Sequence, residues 1–315
     1  MQWFAQAPSN IALIKYMGKK EGKGNLPINP SLSYTLNNLL SSVALEEQPG
    51  KKDFWEPLEI PGAMHFDLSI AAQERYLAHL QRLKTYFDYQ GAFVVRSSNN
   101  FPLSCGLASS ASSFAALTKC AALALSELTG KPMPAIETLA QLSREGSGSS
   151  CRSFFSPWAL WEDTEVKAID LPYKELLHQV IIISHEEKRI SSREAHARIR
   201  TSKLYEGRAK RARDNLKLLL TALESNDWKS AYEICWHEFQ DIHKLFATCS
   251  EPFSYITEET NKVLANLQDL WQREGDGPIV TMDAGPNIHL LYRLDQKSLA
   301  DSFKKEYLVG NFDVI

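Results

Sequence analysis

Hydrophobic positions run in short blocks or alternate over the first third of the chain, then recur at helical spacing over most of the rest. Residues 11–16 form a short apolar run, followed by a Gly/Lys-rich stretch at 18–25. Residues 31–40 and 43–46 read as paired strands, and a polar loop with Pro49, Gly50, Pro57, Pro61 and Gly62 follows. Tyr76, Leu77, Leu80, Leu83 and Phe87 mark a helix over 71–87, and residues 92–96 read as a strand. A loop at 98–106 leads into a helix over 108–128 with Gly130 as its stop, and a second helix over 134–145 stops at Gly146. Short strands are expected at 159–161 and 166–171, and the β-branched run 180–184 reads as a buried strand. Helices are expected over 192–201, 204–222, 228–247 and 255–274. Strands at 279–282 and 288–292 and a helix over 296–305 complete the chain.

Strands followed by helices in each half point to an α+β fold rather than a doubly wound α/β sheet. The expected division is an N-terminal part over 1–178 and a C-terminal part over 179–315, although no flexible linker marks it.

The chain has 315 residues, 44% of them hydrophobic and 23% charged, as in an ordinary soluble globular protein. Thirty-five basic against 38 acidic residues leave a net charge of −3, so there is no overall field for nucleic acid or an anionic membrane. An anionic ligand therefore needs a local cluster of cations and helix N-termini. The five cysteines (Cys105, Cys120, Cys151, Cys235 and Cys249) show no CxxC spacing, which argues against a disulfide framework or a zinc site and for a cytoplasmic setting. The first residues have no basic-then-apolar leader pattern.

Four segments can carry chemistry. Residues 102–113 (PLSCGLASSASS) form a small-residue loop running into an apolar helix. Unpaired N–H groups and the positive dipole end make such a start an anion site, with Ser109, Ser110 and Ser112 offering hydroxyls. It is not a Walker A loop, and a plain capped helix is its simpler reading. Residues 7–19 (APSNIALIKYMGK) place Lys15 inside an apolar run, where a charge is costly without a partner. Residues 143–153 (SREGSGSSCRS) set glycines and serines before Arg152, whose planar fork suits a carboxylate or phosphate. Residues 281–287 (TMDAGPN) end a strand on Asp283 before a tight turn, where an Asp serves either the turn or a reacting hydroxyl. Ser191 and Ser192 read first as helix caps, Trp158, Trp161 and Trp236 as core, and the basic run 208–213 as a solvated face.

The order of these segments resembles the GHMP kinase superfamily and, within it, the diphosphomevalonate decarboxylase family. The resemblance is carried by residues 7–19, 26–36 (LPINPSLSYTL), 99–111 (NNFPLSCGLASSA), 146–153 (GSGSSCRS) and 281–287, and so spans nearly the whole chain. It implies an N-terminal part like ribosomal protein S5 domain 2, a ferredoxin-like C-terminal part, and an active site in the cleft between them. It also implies a cytoplasmic homodimer that uses ATP and Mg²⁺ to phosphorylate and decarboxylate mevalonate 5-diphosphate. On this resemblance Asp283 positions or deprotonates the C3 hydroxyl, Arg152 holds the C1 carboxylate, and Lys15 steadies the transferring phosphoryl group. Ser149 orients the substrate, Asn10 stands near the reacting end, Tyr16, Lys19 and Ser192 stand near the substrate diphosphate, and Ser147 is a further substrate-binding residue. Ser104, Cys105, Gly106, Leu107, Ala108, Ser109 and Ser110 match the ATP loop. Met17, Pro30 and the run Leu103-Ser104-Cys105 depart from the family pattern. The alternatives are a phosphomevalonate decarboxylase or mevalonate 3-kinase, another GHMP kinase, and a non-catalytic metabolite-binding protein on this fold.

Overall fold

The computed structural model describes every residue except Lys23, Lys51, His65, Phe66, residues 103–108 and Glu187. Its first sheet is organised by two long strands. Strand β1 (Gln2–Ile14) pairs antiparallel along β2 (Ser31–Gln48). β4 (Ala92–Asn99) joins the C-terminal part of β2, and β5 (Trp158–Glu162) joins its start. β3 (Phe54–Pro57) lies parallel to β4, and β6 (Glu165–Ile169) pairs with β5.

Two sequence expectations change here. The segments expected as paired strands at 31–40 and 43–46 are one continuous strand. Ser41 and Ser42 do not turn: they are buried and pair with Asn99 and Ser98. The misfit is absorbed by a shift in register, Pro8 opposite Leu40 but Ser9 opposite Leu36, while Asn37 and Asn38 stay exposed. The polar loop before the first helix contains β3, anchored where the Trp55 indole donates to Ser97 Oγ at 2.8 Å.

Helices α1 (Ile70–Phe87), α2 (Ser109–Thr129) and α3 (Ile136–Gly146) pack with this sheet. α2 lies close to β1 and β2 because its buried face is lined by Ala111, Ala115, Ala121 and Ala122. That approach brings the start of α2 to the edge of the site.

The second sheet has the order β10-β7-β9-β8, all antiparallel, from β7 (Leu177–Ile182), β8 (Ile279–Thr281), β9 (Ile288–Tyr292) and β10 (Asp313–Val314). Helices α4 (Ser192–Arg198), α5 (Arg208–Glu224), α6 (Trp228–Ala247), α7 (Glu258–Glu274) and α8 (Lys297–Phe303) belong to this half. α5 and α7 begin later than their apolar spacing suggests. α7 waits for Thr257, whose hydroxyl and that of Thr260 form a reciprocal cap. Among the described residues, no helix is long and apolar enough to cross a membrane.

One apolar cluster joins the halves, running from Ile11, Leu13 and Leu32 to Val180, Phe239, Ile279 and Leu290. This shared core holds the end of β1 against α6 and β8. The basic run at 208–213 corrects another expectation. Lys210 and Arg213 do face water, but Arg208 is 0% exposed and paired with Glu238 and Asp241, and Arg211 pairs with Asp241 at 2.8 Å. Helical spacing puts 208 and 211 on one side, facing α6.

Candidate active site

β1 delivers Lys15 one residue past its last ladder pair, with the side chain only 2% exposed. The turn after β8 delivers Asp283. Lys15 Nζ donates to Asp283 Oδ1 at 2.8 Å, the lysine 2% and the aspartate 27% exposed. The aspartate is therefore the member that still faces the cleft. Burial would raise the Asp283 pKa, but the Lys15 ammonium, with His289 and Arg152, overrides it and holds the carboxyl below its usual range. Burial lowers Lys15 against the pull of Asp283 and Glu238.

Arg152 reaches the same place from a short 3-10 turn, Gly148–Phe154, that follows α3. It is buried, and its charge acts on Asp283. Its Nε donates to Asn10 Oδ1 at 3.1 Å and its Nη1 to Ser31 Oγ at 2.7 Å. The guanidinium lies 5.9 Å from the Trp161 ring centroid. Asn10 is fixed in turn by donating to Ser153 Oγ at 2.8 Å. Asn10, Ser31, Arg152 and Ser153 thus form one buried polar unit whose charge is felt at Asp283.

The glycines of this loop have a steric reason. A side chain at Gly148 would stand 2.6 Å from the Tyr16 ring. Gly18 has φ +109°, and a Cβ there would meet Ile28 at 2.4 Å. Tyr16 sits between Trp161 and His196, 4.6 Å from each, and its hydroxyl donates to the Asn25 carbonyl at 2.9 Å. His196 accepts from Gly18 N–H at 3.0 Å, and burial pushes its pKa down to about 3, so it stands as a neutral acceptor. Met17, the departure from the family pattern, is buried with Ala195, Ile199, Ile242 and Phe246.

The α2 start adjoins this loop, since Ser147 Oγ lies 3.4 Å from Ser110 Oγ. Ser109 is half-buried and Ser110 exposed. Ser112 does not fit its expected role as a ligand hydroxyl: it is fully buried and bonded to Ser41 Oγ at 2.7 Å. Ser104, Cys105, Gly106, Leu107 and Ala108 lie outside the described residues. Ser191 caps α4, accepting from Glu194 N–H. Ser192 therefore keeps its hydroxyl for Lys188, whose ammonium donates to it at 2.9 Å and to the Ala284 carbonyl at 2.7 Å.

Lys188, Arg193 and Arg75 are site cations that sequence reasoning missed. Lys188 sits in a mixed-charge loop and nothing in its spacing distinguishes it, yet burial lowers its pKa and Asp283 pulls it back. Lys19 donates to Asn25 Oδ1 at 2.8 Å. Burial first, then the charges of Arg193 and Arg75, lower Lys19 to about 8. Among the described residues, Lys19, Arg193 and Arg75 form no ion pair with a carboxylate, and their charges act on one another. Three mutually repelling cations grouped without a carboxylate give a local positive field that favours an anion.

Next to one end of β4 is a cavity of about 370 Å³ lined by Pro57, Leu58, Ile60, Pro61, Met64 and Ser97. β4 also feeds the small-residue loop before α2.

Two α+β halves, a small-residue helix start and a buried Lys15–Asp283 pair with Arg152 acting on it define an enzyme of the GHMP kinase fold class. The chain belongs to the diphosphomevalonate decarboxylase family. The model of the diphosphomevalonate decarboxylase-like N-terminal domain matches residues 7–169. That of the mevalonate 5-diphosphate decarboxylase C-terminal domain matches residues 179–309. The chain is 66% identical to a solved mevalonate diphosphate decarboxylase from Legionella pneumophila, with all of both chains covered and a TM-score of 0.95. It is 27% identical to the Enterococcus faecalis enzyme, covering 100% of this chain and 96% of that one, with a TM-score of 0.87. The diphosphomevalonate decarboxylase of Gibberella zeae is 30% identical over 91% of this chain and 79% of its own length. A further similar structure, 27% identical, is a complex with MVAPP, AMPPCP and magnesium.

Proposed function

We propose that this chain converts mevalonate 5-diphosphate and ATP to isopentenyl diphosphate, ADP, phosphate and CO₂. The observation that carries this reading is the Lys15–Asp283 contact of 2.8 Å with the Arg152 charge acting on the same carboxylate. A kinase needs the first two groups. A decarboxylase also needs a cation that holds a carboxylate in line with the leaving phosphate.

The substrate's C1 carboxylate is placed on Arg152, within reach of Ser149 and Asn10, and its C3 hydroxyl on Asp283. Asp283 is a weak base, because its carboxyl is held below the usual range. It orients the hydroxyl and takes the proton late, which suits a loose phosphoryl transfer that depends on positioning and charge. Lys15 neutralises the transferring group. The C3–O bond then breaks toward phosphate, and the C1–C2 bonding pair becomes the new C2=C3 bond as CO₂ leaves.

The ATP phosphates are assigned to the α2 start with Ser109 and Ser110, and the base to the apolar cavity beside β4. Among the described residues, no cluster of three or more His, Cys, Asp or Glu is arranged to hold a metal. Mg²⁺ fits this sparse donor set, since it takes phosphate oxygens and water with few protein ligands. When bound it would supply countercharge to the phosphates, and Ser109, Ser110 and Asp283 are the side-chain oxygens that would help hold it. A cytoplasmic homodimer belongs to this reading on family resemblance alone.

The 5-diphosphate is assigned to Lys19, Arg193, Arg75, Tyr16, Ser147 and Ser192. Charge-assisted contacts are each worth about 1.5–3 kcal/mol. Losing a phosphate is therefore expected to lower kcat/KM by about 10²-fold or more. Initial rates with the 5-diphosphate and the 5-monophosphate test this, and a preference for the monophosphate would make the chain a phosphomevalonate decarboxylase.

Lys19 adds a pH dependence of definite sign. With its pKa pushed down to about 8, it loses its charge as pH rises through that value. kcat/KM for the diphosphate is expected to fall above about pH 8, because this parameter reports the free enzyme. Lys19→Arg should move that limb upward. An unmoved limb would assign it to another group.

A further inference from the structure

We propose that the buried Arg208–Glu238 pair is a positioning device for Lys15, holding both backbone groups of that residue and so fixing where its ammonium stands beside Asp283. The last β1 ladder pair is Ile14 opposite Leu32, so Lys15 has no strand partner for its N–H or carbonyl. Buried backbone groups left in that state are costly. Two side chains from the other half of the molecule serve instead. Glu238 Oε1 accepts the Lys15 N–H at 3.0 Å, and Arg208 Nη2 donates to the Lys15 carbonyl at 3.0 Å. Asn29 Nδ2 adds a second donor to that carbonyl at 2.9 Å.

The clamp is itself over-determined. Arg208 Nη2 also donates to Glu238 Oε1 at 2.5 Å, Arg208 Nη1 to Asp241 Oδ2 at 2.9 Å, and Asn215 to Glu238 Oε2 at 2.8 Å. Both members of the pair are 0% exposed. Stability alone gives no reason for such a choice, since well-packed apolar replacements of buried ion pairs are commonly neutral or stabilising. What an apolar pair cannot do is accept from and donate to a chain end that must be held in place.

Glu238 also supplies charge. The groups whose charge bears on the Lys15 ammonium are Asp283 from the β8–β9 turn and Glu238, Cys235 and His243 from α6. Arg208 from α5 meets its backbone, and Arg152 faces Asp283. Burial works against the ammonium, and the two carboxylates sustain it. This inference rests on the catalytic reading of Lys15.

The test compares Glu238→Gln, Lys84→Met and Lys15→Met in the full chain. A sub-ångström to ångström misplacement at a reacting centre can cost about 10²-fold. Glu238→Gln is expected to lower kcat on that scale with KM for both substrates nearly unchanged. The amide turns a donor NH2 against Asn215 or against Arg208 and the Lys15 N–H, which loosens the clamp, and it carries no charge, so the basic limb of the kcat–pH profile should also move to lower pH. Lys84→Met breaks a different buried ion pair, Lys84–Asp53 at 2.8 Å, which lies outside the clamp, so it should lower the melting temperature while leaving kcat and the limb close to wild type. Equal behaviour of the two variants in kcat and pH profile would overturn the proposal. An active Lys15→Met would instead sink the catalytic reading beneath it. If Glu238→Gln does not fold, Arg208→Lys serves. It keeps one cation but cannot reach Glu238, Asp241 and the Lys15 carbonyl together, so the same fall in kcat is expected, and a wild-type kcat would contradict it.

Discussion

Replacing Asp283 by asparagine is expected to lower turnover by at least about 10²-fold, the scale of a positioned acid–base group. KM for mevalonate 5-diphosphate should change little, because the amide can still hydrogen-bond the C3 hydroxyl. The loss has two parts. The hydroxyl no longer meets a charge that sharpens its orientation, and Lys15 is left 2% exposed without its carboxylate. Removing one member of a buried pair typically costs about 3–5 kcal/mol. The cost here should fall below that, because Lys15, already lowered by burial, can release its proton. The released proton is itself damaging to catalysis, since a neutral amine gives the transferring phosphoryl no countercharge. The Asp283→Asn and Lys15→Met losses are therefore expected to be far from additive in the double variant. Additive losses would mean that the two act separately.

Arg152→Lys should be almost as damaging, although charge is conserved. A point charge cannot donate to Asn10 Oδ1 and Ser31 Oγ while presenting a fork to a carboxylate. Each buried polar atom left unpaired costs about 1–3 kcal/mol. kcat/KM is expected to drop by about 10²-fold or more, with a clear rise in substrate KM. An unchanged KM would show that no carboxylate rests there.

Some of this site was legible in the sequence because its groups sit where local rules are broken. Lys15 lies in an apolar run, Arg152 follows a loop of glycines and serines, and Asp283 ends a strand before Gly-Pro. The helix expected over 108–128, found over Ser109–Thr129, and the span of α6 follow from small residues and apolar period. What could not be read was decided by partners distant in the chain. β2 is continuous because its serines pair with β4 and its excess residues are absorbed in register with β1. Arg208 looked like one of several surface cations, and its partners Glu238, 30 residues away, and Asp241, with the open end of β1, account for its burial. Arg75, Lys188 and Arg193 carry no spacing signal. They become visible when α1, the loop after β7 and α4 converge on the same cleft.

The most direct test is a stoichiometry. The purified chain is incubated with ATP and mevalonate 5-diphosphate carrying its isotope in the carboxyl carbon, and trapped CO₂ is counted against ADP. One CO₂ for every ADP, with none released when ATP is withheld, is the predicted result. ADP accumulating without labelled CO₂ would contradict it, leaving a kinase in which Arg152 holds no departing carboxylate.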